Sequence, residues 1–215
     1  MVVLAFIFVS FMDYIIHLSK DKKLAKLIDN SEPIKLKSHK NICLRLCASI
    51  MSQQLSTKVA KVIYHRFLEL YGGDEPTPQQ IVETPFDQLR TIGLSNAKTH
   101  YVLNVARFAI DNDLSDKRLR KMGDEEIIEL LTQIKGVGRW TVEMLLMFTL
   151  GREDLFAVDD YGIQMAMKKL YKLDDSNKKE FKEKMANIAR KWAPYRTFAC
   201  LLLWRWKDNA PVVKK

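Results

Sequence analysis

Leu131-Thr132-Gln133-Ile134-Lys135-Gly136-Val137-Gly138-Arg139-Trp140-Thr141 joins two helical patterns through a turn bracketed by glycines. On its N-terminal side, Asp124 to Gln133 carries acidic residues in its first turn and apolar residues at helical spacing, which predicts an amphipathic helix. On its C-terminal side, Thr141 to Leu150 is apolar almost all round, which predicts a buried one. Gly136 and Gly138 permit positive φ and close approach of another backbone, so the turn can aim the N–H groups of a helix N-terminus at a phosphate without reading bases. An ordinary helical corner would use two glycines in the same way, and the turn alone favours that plainer reading.

The rest of the chain shifts the balance. Residues 131–141 resemble the helix-hairpin-helix of the DNA glycosylase superfamily that carries a downstream Gly/Pro-rich loop and an aspartate, and Gly151 to Ile163, with Asp159-Asp160-Tyr161-Gly162 at its end, is similar to that loop. Ile50-Met51-Ser52-Gln53-Gln54-Leu55-Ser56-Thr57-Lys58-Val59-Ala60 resembles the segment that fills the gap left by a flipped-out base. Trp192 to Cys200 with Leu203-Trp204 resembles the closing helix of the alkylated-base branch, the 3-methyladenine DNA glycosylase II group.

The resemblance implies an all-α helix-hairpin-helix glycosylase fold: two helical lobes with the active site in the cleft between them. A barrel lobe is expected over about residues 36–150 and a second lobe from residues 12–35 and 151–215, together a single domain over 12–215. The implied activity is that of a monofunctional DNA glycosylase of base excision repair. It would flip alkylated purines such as 3-methyladenine and 7-methylguanine out of double-stranded DNA and hydrolyse the N-glycosidic bond, leaving an abasic site. Branches that also cut the strand place a lysine where Trp140 stands, because their nucleophile is an amine that forms a Schiff base with the sugar. Two other classes stay open: a non-catalytic helix-hairpin-helix DNA-binding module, and a glycosylase for mismatched or oxidised bases.

By its place in the motif Asp160 is the expected catalytic carboxylate, facing the positive charge that develops on the deoxyribose. Capping of the next helix is the competing role for both Asp159 and Asp160. Trp140, Met144 and Trp204 are the expected base pocket, where aromatic faces attract a cationic base; core packing is the alternative for each. Met144 stands where some relatives carry an aromatic residue. Gly136, Val137, Gly138, Arg139 and Thr141 form the expected DNA-binding hairpin, and Gln54 or Leu55 the expected wedge. Gln53 and Gln54 would otherwise satisfy buried backbone groups. The carbonyls of Thr132, Ile134 and Val137 are the implied ligands of a structural Na⁺ or K⁺; no other cofactor is required.

With 215 residues the chain is long enough to bury a substantial core, and a formal charge of +9 suits a polyanionic partner. The lysines and arginines are spread as on any solvated helical surface, so charge alone names no phosphate contact. Cys43, Cys47 and Cys200 are too few for a four-thiolate iron–sulfur cluster, and Cys43 and Cys47 read as small buried hydrophobes. The apolar run 1–11 lacks a basic flank and falls short of the roughly twenty residues that cross a bilayer, so it reads as an extension that is not native. A monomer in the cytoplasm, associated with the nucleoid and not with membrane, is the resulting expectation.

Overall fold

The computed structural model describes residues 13–29 and 31–209. The run 1–11 lies outside them. Among the described residues the regular structure is helical, with no strand, and none of the described helices is long and apolar enough to cross a membrane. The chain divides into two compact units, one made by Lys37–Gly151 and one by the described residues before and after it.

The central unit holds α3 (Ile42–Ser52), α4 (Thr57–Glu69), α5 (Pro78–Glu83), α6 (Phe86–Thr91), α7 (Asn96–Asp111), the short α8 (Asp116–Leu119), α9 (Asp124–Leu131) and α10 (Arg139–Leu145). Its axis is α3, whose Ile42, Leu44, Leu46, Cys47, Ile50 and Met51 are almost fully buried, packed on α7, α4 and α10. Side-chain caps begin most of these helices. Asn41, Ser56, Ser95 and Ser115 each accept from a backbone N–H in the first turn, and Thr77 and Gln80 form a reciprocal capping box ahead of Pro78.

The outer unit holds residues 13–18 as α1, α2 (Lys22–Ile28), α11 (Tyr161–Tyr171), α12 (Lys178–Ala189) and α13 (Arg196–Asn209). α13 packs on α11 and α2. Asp21 joins three elements: Oδ1 caps α2 through Lys23 N–H at 2.9 Å, while Oδ2 accepts from Tyr171 Oη at 2.7 Å and Trp192 Nε1 at 3.2 Å. Burial works against its charge, but the hydrogen bonds from Tyr171, Lys23, Trp192 and Leu24 outweigh it and hold the carboxyl below its ordinary range. The Tyr171 phenol is raised in turn, by burial and by the same bond.

The loop before Asp160 is strapped to the start of α13. Arg196 grips Asp154 with Nε–Oδ1 at 2.6 Å and Nη2–Oδ2 at 3.0 Å. Thr197 donates its hydroxyl to the Arg152 carbonyl at 2.7 Å and accepts from Leu155 N–H at 3.1 Å. The two sequence blocks are therefore one structural device. Its paired guanidinium–carboxylate bonds fix direction as well as distance.

Candidate active site

Asp160 is the residue immediately before α11. Its Oδ1 accepts the N–H of Ile163 at 2.8 Å and the indole Nε1–H of Trp204, from α13, also at 2.8 Å. Capping and the expected catalytic role thus fall on one side chain: the cap anchors one carboxylate oxygen of a half-buried group. Asp159 does not cap. It is exposed and meets Lys182 Nζ at 2.6 Å.

Gly162 completes this arrangement. A Cβ there would lie 3.0 Å from Asp160 Oδ1 and from Trp204 Cδ1 and Nε1, closer than side chains pack without displacement. Trp204, expected as a pocket wall, has its N–H edge engaged by Asp160, which makes it an orienting donor for that carboxylate.

In the central unit α10 departs from the fully buried helix expected over Thr141–Leu150. It begins earlier, at Arg139, and its last turn, Leu146–Leu150, widens to a π-helical turn. Val142, Leu145, Leu146 and Met147 are buried, while Trp140 is 38% and Phe148 46% exposed, with half-buried Met144 between them. These three, at i, i+4 and i+8, share one face. Together with Arg45, Ser49 and Ser52 they line a hollow of about 310 Å³. Trp140 and Met144 are therefore brought together, and Trp204 stands in the other unit. Phe148 was missed because an apolar run without a polar face conceals which side is open.

The hairpin separates its two glycines. Gly136 has φ +104°, and a Cβ on it would run into the Tyr101 ring, 2.5 Å from Cδ1 and 2.7 Å from Cβ. Gly138 needs no positive φ, contrary to expectation: it has φ −92°, caps α10 without a side-chain hydrogen bond, and faces space in which an added Cβ meets nothing within 4 Å. Gly136 shapes the turn and Gly138 leaves its face open, where the first N–H groups of a helix point outward.

Val137 and Arg139 differ from expectation as well. The Val137 side chain is buried and its N–H closes the turn on the Ile134 carbonyl at 2.9 Å, so that donor is already engaged. Arg139 donates to both oxygens of Glu125, at 2.6 and 3.0 Å, and to Glu143 at 3.2 Å. Hydrogen bonding to Arg139 pulls the Glu125 carboxyl down. The guanidinium therefore ties α9 to α10. Thr141 is buried, its hydroxyl accepting from Gln53 Nε2 at 3.4 Å.

That bond separates the two glutamines. Gln53 turns inward, whereas Gln54 is exposed with φ +57°, a left-handed conformation that a non-glycine residue adopts only when its surroundings impose it. Leu55 is 37% exposed. Cys43, Cys47 and Cys200 are buried and none is in a disulfide; the Cys47 thiol is pushed up by its hydrogen bond with Cys43 and by burial.

Residues 47–191 match the family of HhH-GPD superfamily base excision DNA repair proteins. The chain belongs to that superfamily. Within it, the chain is 36% identical over 195 residues to DNA-3-methyladenine glycosylase 1 of Schizosaccharomyces pombe, covering 90% of this chain and 84% of that protein. In three dimensions this HhH-GPD chain is similar to S. pombe 3-methyladenine DNA glycosylase Mag1 in complex with abasic DNA, with a TM-score of 0.81, 33% identity, and coverage of 94% and 100% of the two chains. A DNA-3-methyladenine glycosidase from Bacillus halodurans gives a TM-score of 0.77 at 35% identity, with coverage of 89% and 87%.

Proposed function

We propose that this protein is a monofunctional glycosylase acting on alkylated purines in double-stranded DNA. The observation that carries the reading is the doubly anchored Asp160: two donors at 2.8 Å hold one carboxylate oxygen, and Gly162 leaves room for them. A capping aspartate requires only the first donor. An indole N–H brought from α13 to the same oxygen orients the charge, as a preorganised electrostatic site requires.

In the reaction the C1′–N bond breaks with its electron pair leaving on the base. The cation left on the sugar is balanced by the Asp160 carboxylate. The alkylated purine, cationic before cleavage, departs neutral with that pair; water then bonds to C1′ through oxygen and gives up a proton to solvent, leaving a neutral sugar. A purine alkylated at a ring nitrogen is already cationic and leaves readily. The aromatic faces of Trp140 and Phe148, with Met144, offer such a base stacking and cation–π attraction. Trp140 at the position of the strand-cutting lysine supports hydrolysis without a covalent sugar adduct.

The open face over Gly138 and the uncapped start of α10 suit a backbone phosphate. For the proposed Na⁺ or K⁺, the carbonyls of Thr132, Ile134 and Val137 supply suitable hard oxygens. They lie at the C-cap of α9 and in the turn, where helix carbonyls lack intrahelical partners, and the Ile134 oxygen keeps a second lone pair after accepting from Val137. The ion would tie the turn to the phosphate and take no part in bond breaking.

The test is incubation with methylated duplex DNA, identification of released bases by mass spectrometry, and borohydride trapping in parallel. Free 3-methyladenine or 7-methylguanine with intact strands and no trapped adduct is expected. DNA binding without base release would leave a non-catalytic module, and a trapped adduct would contradict the inference from Trp140.

A further inference from the structure

The loop between α3 and α4 is held by a residue distant in sequence. Lys98, in the first turn of α7, donates from Nζ to the Met51 carbonyl at 2.9 Å and to the Gln53 carbonyl at 2.6 Å. These oxygens flank the end of α3, and the second belongs to the residue immediately before left-handed Gln54. The ammonium is half-buried, and burial lowers its pKa below that of an ordinary lysine. From the other side the Gln53 amide reaches Thr141 on α10. The backbone of Gln53 is thus fixed by α7 and its side chain by the hairpin helix, so Gln54 and Leu55 are the exposed residues that follow a clamped one.

We propose that Lys98 is a positioning residue for base extrusion: by clamping the carbonyls of Met51 and Gln53 it holds Gln54 and Leu55 outward, ready to enter the stack that a flipped nucleotide vacates. The inference rests on the reading of Gln54 or Leu55 as the wedge. An intercalating side chain acts by filling a gap of fixed shape, and a loop ordered beforehand does not lose that freedom on binding. A lysine that only capped the C-terminus of α3 would stabilise the fold and affect every substrate alike.

The two roles separate by substrate. Excision of 7-methylguanine is measured under single-turnover conditions from a duplex with cytosine opposite the lesion, and from one with an abasic site opposite, where less stacking and pairing must be broken. For Lys98→Met we expect a loss of roughly 10- to 100-fold with cytosine opposite and under about 3-fold with the abasic site opposite. Lys98→Arg, which keeps a cationic donor, should recover part of the loss. Lys98→Gln serves the same comparison if the methionine variant does not fold. Equal loss on both duplexes, or no loss on either, overturns the proposal. Gln54→Ala and Leu55→Ala are run alongside: if they lower excision opposite cytosine and Lys98→Met does not, the clamp alone fails; if neither does, the wedge reading fails.

Discussion

Replacing Gly136 with alanine adds two separable costs. The backbone at φ +104° lies where an L side chain is strained, at about 1–3 kcal/mol. The new methyl would also overlap Tyr101, 2.5 Å from Cδ1 and 2.7 Å from Cβ, and relief by shifting the ring or the turn adds about 1–3 kcal/mol. Gly136→Ala should therefore destabilise by about 2–6 kcal/mol in urea denaturation. In a Tyr101→Ala background the ring overlap disappears while the backbone strain and the contact with Cβ of residue 101 remain, so the cost should fall by part of the overlap term, about 1–2 kcal/mol. Additivity of the two substitutions within about 0.5 kcal/mol would refute the claim that the Tyr101 ring reserves this position for glycine. Gly138→Ala is the contrasting case. With ordinary φ and open space around it, the substitution should leave stability within about 1 kcal/mol of the parent while weakening affinity for undamaged duplex in a filter-binding assay.

Two further predictions concern the outer unit. Trp204→Phe keeps an aromatic side chain but removes the donor to Asp160, and the loss of a charge-assisted hydrogen bond, about 1.5–3 kcal/mol, should slow single-turnover excision by roughly 10- to 100-fold with little change in DNA affinity. An unchanged rate would remove Trp204 from the orienting role. Asp21 has a depressed folded-state pKa, so its contribution to stability is fully present above the unfolded value of about 3.9 and disappears as pH falls through the lower folded value. Urea melts at pH 6 and pH 3 should show a larger loss for the native protein than for Asp21→Asn; equal losses would show that Asp21 is not a source of the acid sensitivity.

What was legible in the sequence follows from the range of the forces involved. The helices around the hairpin announce themselves through local periodicity and, for α9, an acidic first turn. The short α2 and α8 carry too few turns for a pattern to stand out. Of the site, Gly136 and Asp160 were readable because each is marked by neighbours in sequence. The distinct duties of Gly136 and Gly138 were not, because Tyr101 creates the difference from another helix. The need for glycine at 162 was not legible either, because Trp204 approaches it from α13. Arg139 looked available for phosphate until Glu125 and Glu143 were seen to hold it. Lys98 gave no local signal at all: its partners are set by the packing of α7 on α3.

In the proposed reaction one oriented carboxylate, Asp160, steadies the sugar as its bond to the base breaks. Asp160→Asn preserves size and keeps an oxygen able to accept from Ile163 and Trp204, while it removes the charge and turns the other oxygen into an amide donor. Single-turnover release of 3-methyladenine should fall by at least about 100-fold in this variant, with duplex affinity within a few-fold of the native protein. Release at the native rate by the folded, DNA-binding variant would contradict the account.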